Sequence, residues 1–152
     1  MKMQDFTLSM PHHATAFTNI MTTALTLWRE ASNQDLLAKQ AVMWVIRNRV
    51  DHPSWYGSTW HEVCTKKCQF TSMNPPDKLV EPNLRRWPSP DDASWKECLK
   101  VVFDVMVSNV PDPTGGATFY YDKTMDDNPP PWAKTYAHTV DVGAFHFFKP
   151  GK

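Results

Sequence analysis

Apolar positions in the first part of the chain recur at helical spacing. Phe17, Ile20, Met21, Ala24, Leu25, Leu27 and Trp28 follow a 3.6-residue period. This predicts a helix from Ala14 to about Arg29 and leaves residues 1–13 as a flexible tail. Ala31-Ser32-Asn33-Gln34-Asp35 breaks the pattern. Ser32 or Asn33 can cap a second helix, with Asp35 in its first turn, where a negative charge suits the helix dipole. That helix runs to about Val50 on a stripe of Leu37, Ala41, Val42, Trp44 and Val45, and Asp51-His52-Pro53 stops it. Thr59-Trp60-His61-Glu62 fits a capping box, so a short helix through Cys64 follows. From Cys68 to Pro88 no period is visible, and Pro, Asn and Asp mark a long loop. Ser89-Pro90-Asp91-Asp92 starts another helix, with Trp95, Cys98, Leu99, Val102, Phe103 and Met106 on one face and an end near Asn109. Turn residues fill 111–116, Ala117 to Tyr121 reads as a short strand, and Val140 to Phe148 alternates loosely as a second one. The expected fold is α+β but mainly α: a single domain over residues 14–152 with a small β element late in the chain.

Composition narrows the function classes. Lys plus Arg and Asp plus Glu both number 16 in 152 residues, so the formal charge is zero. Phosphate binding needs a basic excess, so nucleic acid is not an expected partner, and a polybasic membrane anchor is not expected either. Three cysteines, Cys64, Cys68 and Cys98, make an odd count that suits thiols rather than a disulfide framework. The first residues lack the apolar run and cleavage site of a secretory signal. Seven Trp exceed what a core of this size requires. Some therefore line a surface groove, where flat rings stack on sugars, bases or proline-rich peptides.

Glu30 stands where one periodic segment ends and the next begins. A carboxylic acid at a helix end beside an aromatic groove can be held protonated by desolvation, and such an acid can protonate a glycosidic oxygen. On the residues alone, a solvated surface Glu is the plainer reading. Asp35, Asp126, Asp127 and Asp141 are not marked by spacing as a partner acid. His61, Cys64, Cys68 and Cys98 do not form a clean zinc pattern, and the remaining histidines show no helical pair. No metal site or cofactor is expected. No nucleophile elbow or phosphate loop is present. Phe119, Tyr120, Tyr121 and Trp132 form an aromatic group, and Gln69, Phe70 and Asn74 lie in the irregular loop, where amides can bond sugar hydroxyls.

Several motifs in order resemble the cell wall hydrolases typified by spore-cortex-lytic enzymes of the SleB and CwlJ type. That family shows G-E-A-R-G-E and then A-V-A-W-V-V-R-N-R-V, against Arg29-Glu30-Ala31-Ser32-Asn33-Gln34 and the segment from Ala41 to Val50 here. Its E-V-C and Q-F-S-x-x-N-P resemble Glu62-Val63-Cys64 and the run from Gln69 to Pro75. Its D-P-T-G-G-A-T-x-Y-Y is similar to residues 112–121. Its P-x-W-A and G-x-H-x-F-F resemble Pro130 to Ala133 and Gly143 to Phe148. The chain departs from the pattern at Arg29 for Gly, at Asn33-Gln34 for Gly-Glu, and at Phe119 and Phe145, where His is usual.

The resemblance implies a lysozyme-like, lytic-transglycosylase-type domain acting on peptidoglycan. It implies Glu30 as the catalytic acid that protonates the oxygen between N-acetylmuramic acid and N-acetylglucosamine. The carboxylate then takes the proton of the muramyl 6-hydroxyl, which closes onto C1 as a 1,6-anhydro sugar. Gln69, Phe70, Asn74, Tyr120, Tyr121 and Trp132 are expected along the groove, with Gln69 and Tyr120 nearest the acid. The alternatives are a muramidase that uses water at the same bond, a non-catalytic wall-binding or virion structural module, and amide cleavage by a metal or thiol route. The expected setting is that of a monomeric phage endolysin. It would be made in the bacterial cytoplasm without a signal peptide and released to the wall by a holin-like partner.

Overall fold

The computed structural model describes the backbone of residues 3–66, 69–73 and 87–151, and the side chains of these residues apart from 3–13 and Thr71. Helix α1 spans Met3–Ala31, so it starts upstream of Ala14 and takes in most of the stretch expected as a tail. Once a helix is nucleated, adding residues to it costs little, and α1 runs back through Pro11 at the loss of one backbone bond. Helix α2 covers Leu36–Asp51, α3 Trp60–Thr65 and α4 Ala93–Met106. No helix among the described residues is long and apolar enough to cross a membrane.

The caps show where the pattern misplaced helix starts. Asp35 is itself the N-cap of α2, its carboxylate accepting from the Ala38 amide at 2.9 Å, while Ser32 and Asn33 stay outside the helix. Asp92 caps α4 by accepting from Trp95 N at 2.8 Å, and Ser89-Pro90-Asp91 forms a turn before it. In each case the acid nearest the buried face takes the cap, because burial of that face sets the register. Thr59 caps α3 as expected, accepting from Glu62 N at 3.1 Å.

Helix α1 packs on α3 and α4, and α2 packs on both of these and on the sheet. Being enclosed, α2 buries Ala38, Ala41, Val42, Met43, Val45 and Ile46, which is more than one stripe. Leu37, expected in that stripe, is exposed in the first turn, and Trp44 is half-buried. On α4 the buried face is Trp95, Cys98, Val101, Val102 and Val105, with Phe103 turned to solvent.

Three antiparallel strands form the β element: β1 Phe119–Asp122, β2 Ala137–Val142 and β3 Phe145–Lys149, in the order β1-β3-β2. The single strand expected over 140–148 is therefore a hairpin. Its turn is Gly143-Ala144, with Val142 paired to Phe145 and Gly143 at φ 54. The sequence shows this turn as only one glycine within a run of apolar residues. A Cβ on Gly143 would meet Ala38 Cβ of α2 at 3.2 Å. Gly143→Ala therefore combines backbone strain with crowding against α2. It should destabilise the protein by roughly 1–3 kcal/mol, read as a lower midpoint in denaturant unfolding.

Candidate active site

Glu30 is the penultimate residue of α1 and reaches into a groove of about 490 Å³ between the helices and the sheet. Ser72 Oγ donates to its Oε1 at 3.4 Å, and Tyr120 OH donates to its Oε2 at 3.5 Å. Burial pushes the Glu30 carboxyl up to about 7, against the opposing pull of the Ser72 and Tyr120 hydrogen bonds. Burial and the neighbouring Glu30 carboxylate hold the Tyr120 phenol far above its ordinary range, so Tyr120 keeps its proton and donates it to the carboxylate.

Each partner of Glu30 is placed by a different device. Ser72 lies in the 3₁₀ turn Thr71–Met73. Arg29 Nη1 donates to the Ser72 carbonyl at 2.8 Å and to Met73 Sδ at 3.5 Å, and its guanidinium lies 4.9 Å from the Trp87 ring centre. Arg29 thus ties the end of α1 to the turn that carries Ser72.

Tyr120 is placed from the other side by α2. Asn48 Nδ2 donates to the Ala117 carbonyl at 2.9 Å and to Asp112 Oδ2 at 3.0 Å, and Arg49 Nε donates to the Thr118 carbonyl at 2.7 Å. Asp112 in turn accepts from Thr114 N, Thr114 Oγ1 and Gly116 N at 2.7, 2.6 and 3.2 Å. The motif around Asn48-Arg49 and the Asp-Pro-Thr-Gly-Gly loop are two halves of one clamp that delivers β1 to the groove. Arg49 is 4% exposed, its guanidinium sits among the rings of Tyr56, Phe70 and Phe119 at 5.0, 5.5 and 4.9 Å, and Nη1 has no hydrogen-bond partner among the described residues. Cation–π contact offsets part of the cost of burying this charge.

Five of the six expected groove residues line it: Gln69, Phe70, Tyr120, Tyr121 and Trp132. Asn74 falls outside the described residues. Gln69 is not one of the hydrogen-bond partners of Glu30; Ser72 takes that place because Arg29 holds its turn against the helix end. Strand alternation splits the tyrosines as expected. Tyr120 packs on Phe145 and Phe147 on one face of the sheet, and Tyr121 packs on Trp132, His146 and Phe148 on the other. Both reach the groove because β1 runs along its wall.

Sequence reasoning missed Arg49, Asp122 and Met125 as groove residues and Ser72 as a partner of Glu30. Asp122 is the other carboxylate there among the described residues, and its Oδ1 accepts from Thr124 N at 2.8 Å. The acids considered from sequence serve elsewhere: Asp35 as a cap, Asp141 and Asp126 beside histidines. Cys64 and Cys98 are buried thiols pushed up to about 11 by desolvation, which suits neither a nucleophile nor a zinc ligand. Cys68 lies outside the described residues. A second cavity of about 540 Å³, lined by Met21, Leu25, Met73, Trp87 and Trp95 among others, is more apolar and has no carboxylate among the described residues that line it.

Two solved structures share this fold. The catalytic domain of the Bacillus cereus SleB protein is similar in structure, at TM-score 0.64 and 26% identity over 86% of this chain and 89% of that one. The catalytic domain of the germination-specific lytic transglycosylase SleB from Bacillus anthracis is similar at TM-score 0.65 and 25% identity, over 86% and 93%. Among curated proteins none matches. Residues 33–148 match the family described as Cell Wall Hydrolase, and with most of its length inside that match the chain belongs to the cell wall hydrolase family.

Proposed function

We propose that the groove cleaves peptidoglycan glycan strands between N-acetylmuramic acid and N-acetylglucosamine, as a lytic transglycosylase with Glu30 acting first as acid and then as base. One observation carries this reading: a carboxyl raised to about 7 by burial, within hydrogen-bond reach of a phenol and a hydroxyl, in a groove walled by aromatic rings. Protonated Glu30 donates to the glycosidic oxygen as the C1–O bond breaks. The carboxylate left behind accepts the proton of the muramyl 6-hydroxyl as that oxygen bonds C1. The product is a 1,6-anhydro sugar, no water is consumed, and Glu30 ends protonated as it began. Ser72 and Tyr120 favour the carboxylate stage by hydrogen bonding to it, and burial favours the acid stage. The balance puts the carboxyl near neutral pH, where one group can serve both steps. Tyr121 and Trp132 offer flat faces for sugar rings, and Gln69 offers an amide for hydroxyl or acetamido groups.

The presence of Asp122 in the groove favours a second reading, in which it activates water and the enzyme is a muramidase. Mass spectrometry of digested peptidoglycan separates the two. Transglycosylation leaves anhydro ends, lighter by one water than the reducing ends left by hydrolysis. Reducing ends alone would overturn the proposal in favour of Asp122.

The pH profile is a further check. The acid form of Glu30 starts the reaction and is lost as pH rises through about 7. Wall-lysis rates should therefore fall about tenfold per pH unit above the limb near 7, and a rate flat to pH 9 would contradict the assignment. Synthesis in a bacterial cytoplasm, with release to the wall by a membrane-permeabilising partner as in a phage lysin, remains part of the proposal.

A further inference from the structure

Three side chains converge on one side of the β2–β3 hairpin, away from Glu30. Asp141 Oδ1 lies 2.6 Å from His138 Nε2 and 2.7 Å from His146 Nδ1, and one ligand-capable atom from each residue falls within 4.8 Å of the others. Sheet register accounts for two of them, since Asp141 pairs with His146 across β2 and β3. The third needs an irregularity. In a regular strand His138 and Asp141, three apart, would face opposite sides. The register shift between His138 and Val140 puts them on the same side.

The far side of His146 is also occupied. Its Nε2 meets Asp126 Oδ1 at 2.8 Å. A carboxylate on one imidazole nitrogen fixes the proton there and leaves the lone pair on the other, which is the usual support of a metal-bound histidine. Here Nδ1 faces the shared position between Asp141 and His138, and the proton it shares with Asp141 Oδ1 at 2.7 Å leaves to solvent when a cation takes its place.

We propose that His138 Nε2, Asp141 Oδ1 and His146 Nδ1 form a binding site for one late first-row divalent cation of the zinc class, with Asp126 orienting His146. Two imidazole nitrogens and one carboxylate oxygen match that class and leave a coordination position for water. Calcium and magnesium require mostly oxygen ligands and do not fit. Ligand atoms about 2.0–2.2 Å from a tetrahedral ion stand roughly 3.3 Å apart, so the two short contacts must open by about 0.6 Å. The side chains of His138 and Asp141 are about half exposed and have room to do so. Asp126 directly follows the 3₁₀ turn Lys123–Met125, and Met125 and Tyr121 wall the groove. A bound cation would therefore fasten that wall to the hairpin. The site stands apart from the cleavage chemistry and holds or fails independently of it.

The test is calorimetric titration of chelator-treated full-length protein with zinc chloride, with His138→Ala and Asp126→Asn in parallel. Wild type should take up one equivalent and melt at a higher temperature with zinc. H138A should bind at least about tenfold more weakly and D126N about 10–100-fold more weakly. Absence of saturable one-to-one uptake, or wild-type affinity in H138A, would overturn the site. Nitrogen chemical shifts of the wild-type imidazoles give a readout that depends on no variant. Zinc should move His138 Nε2 and His146 Nδ1, and shifts confined to other histidines would overturn the proposal as well.

Discussion

Replacing Glu30 by Gln should leave a folded protein that releases at least about 10³-fold less soluble fragment from purified cell walls, because one side chain supplies both the proton and its acceptor. Gln keeps the shape and can still meet Ser72 and Tyr120, so the loss is chemical. The same variant makes an opposite prediction for stability. The folded carboxyl titrates near 7 and the unfolded one near 4.5. Between those values the folded state holds a proton that the unfolded state has released, so wild-type stability falls as pH rises through the window and stays reduced above it. Glu30→Gln removes that dependence. Denaturant midpoints of the two proteins should coincide near pH 4, and by pH 8 the variant should be more stable by roughly 1–3 kcal/mol. A variant that lyses walls at near wild-type rate would remove Glu30 from the mechanism. A variant less stable than wild type at pH 8 would mean the carboxyl is solvated.

Asp112→Ala should have the largest structural effect. Asp112 receives hydrogen bonds from Asn48 Nδ2, Thr114 N, Thr114 Oγ1 and Gly116 N. Asn48 is itself 6% exposed, so losing the carboxylate strands a buried amide as well as the loop. A cost of about 2–4 kcal/mol follows, seen as a fall in thermal midpoint of roughly 5–15 °C. Activity should fall further than stability alone accounts for, since Ala117 and Thr118 lead directly into β1 and Tyr120. Asp112→Asn separates the causes: it keeps the shape, retains part of the network and should lose less on both counts. If D112A melted like wild type, Asn48 and Arg49 alone would be holding the loop.

The helices were legible because burial writes a period into the chain. Ile20 to Trp28 and Trp95 to Val102 both carry it, and Thr59 shows its cap directly. Helix α2 was legible as a helix but not as an enclosed one, since residues buried on several sides leave no single stripe. The hairpin was harder, because Gly143-Ala144 is a two-residue turn set within apolar residues. In the site, Glu30 and the aromatic wall came from ordered motifs rather than from any local property. Asn48 with Asp112, and Ser72 with Arg29, pair residues 64 and 43 positions apart, and nothing in either segment names the other. His138 and His146 fell outside any helical spacing rule because a strand pairing and a bulge bring them together.

Glu30 is one residue short of the end of α1, and that position has an electrical consequence. The last carbonyls of a helix point past its end and carry a partial negative charge. A carboxylate placed there meets a repulsive field, so the fold itself adds to the burial that raises its proton affinity. Arg29, in the same turn, brings a compensating cation and commits it to the Ser72 carbonyl. Burial remains the main cause of the raised carboxyl, and the place where the helix stops acts in the same direction.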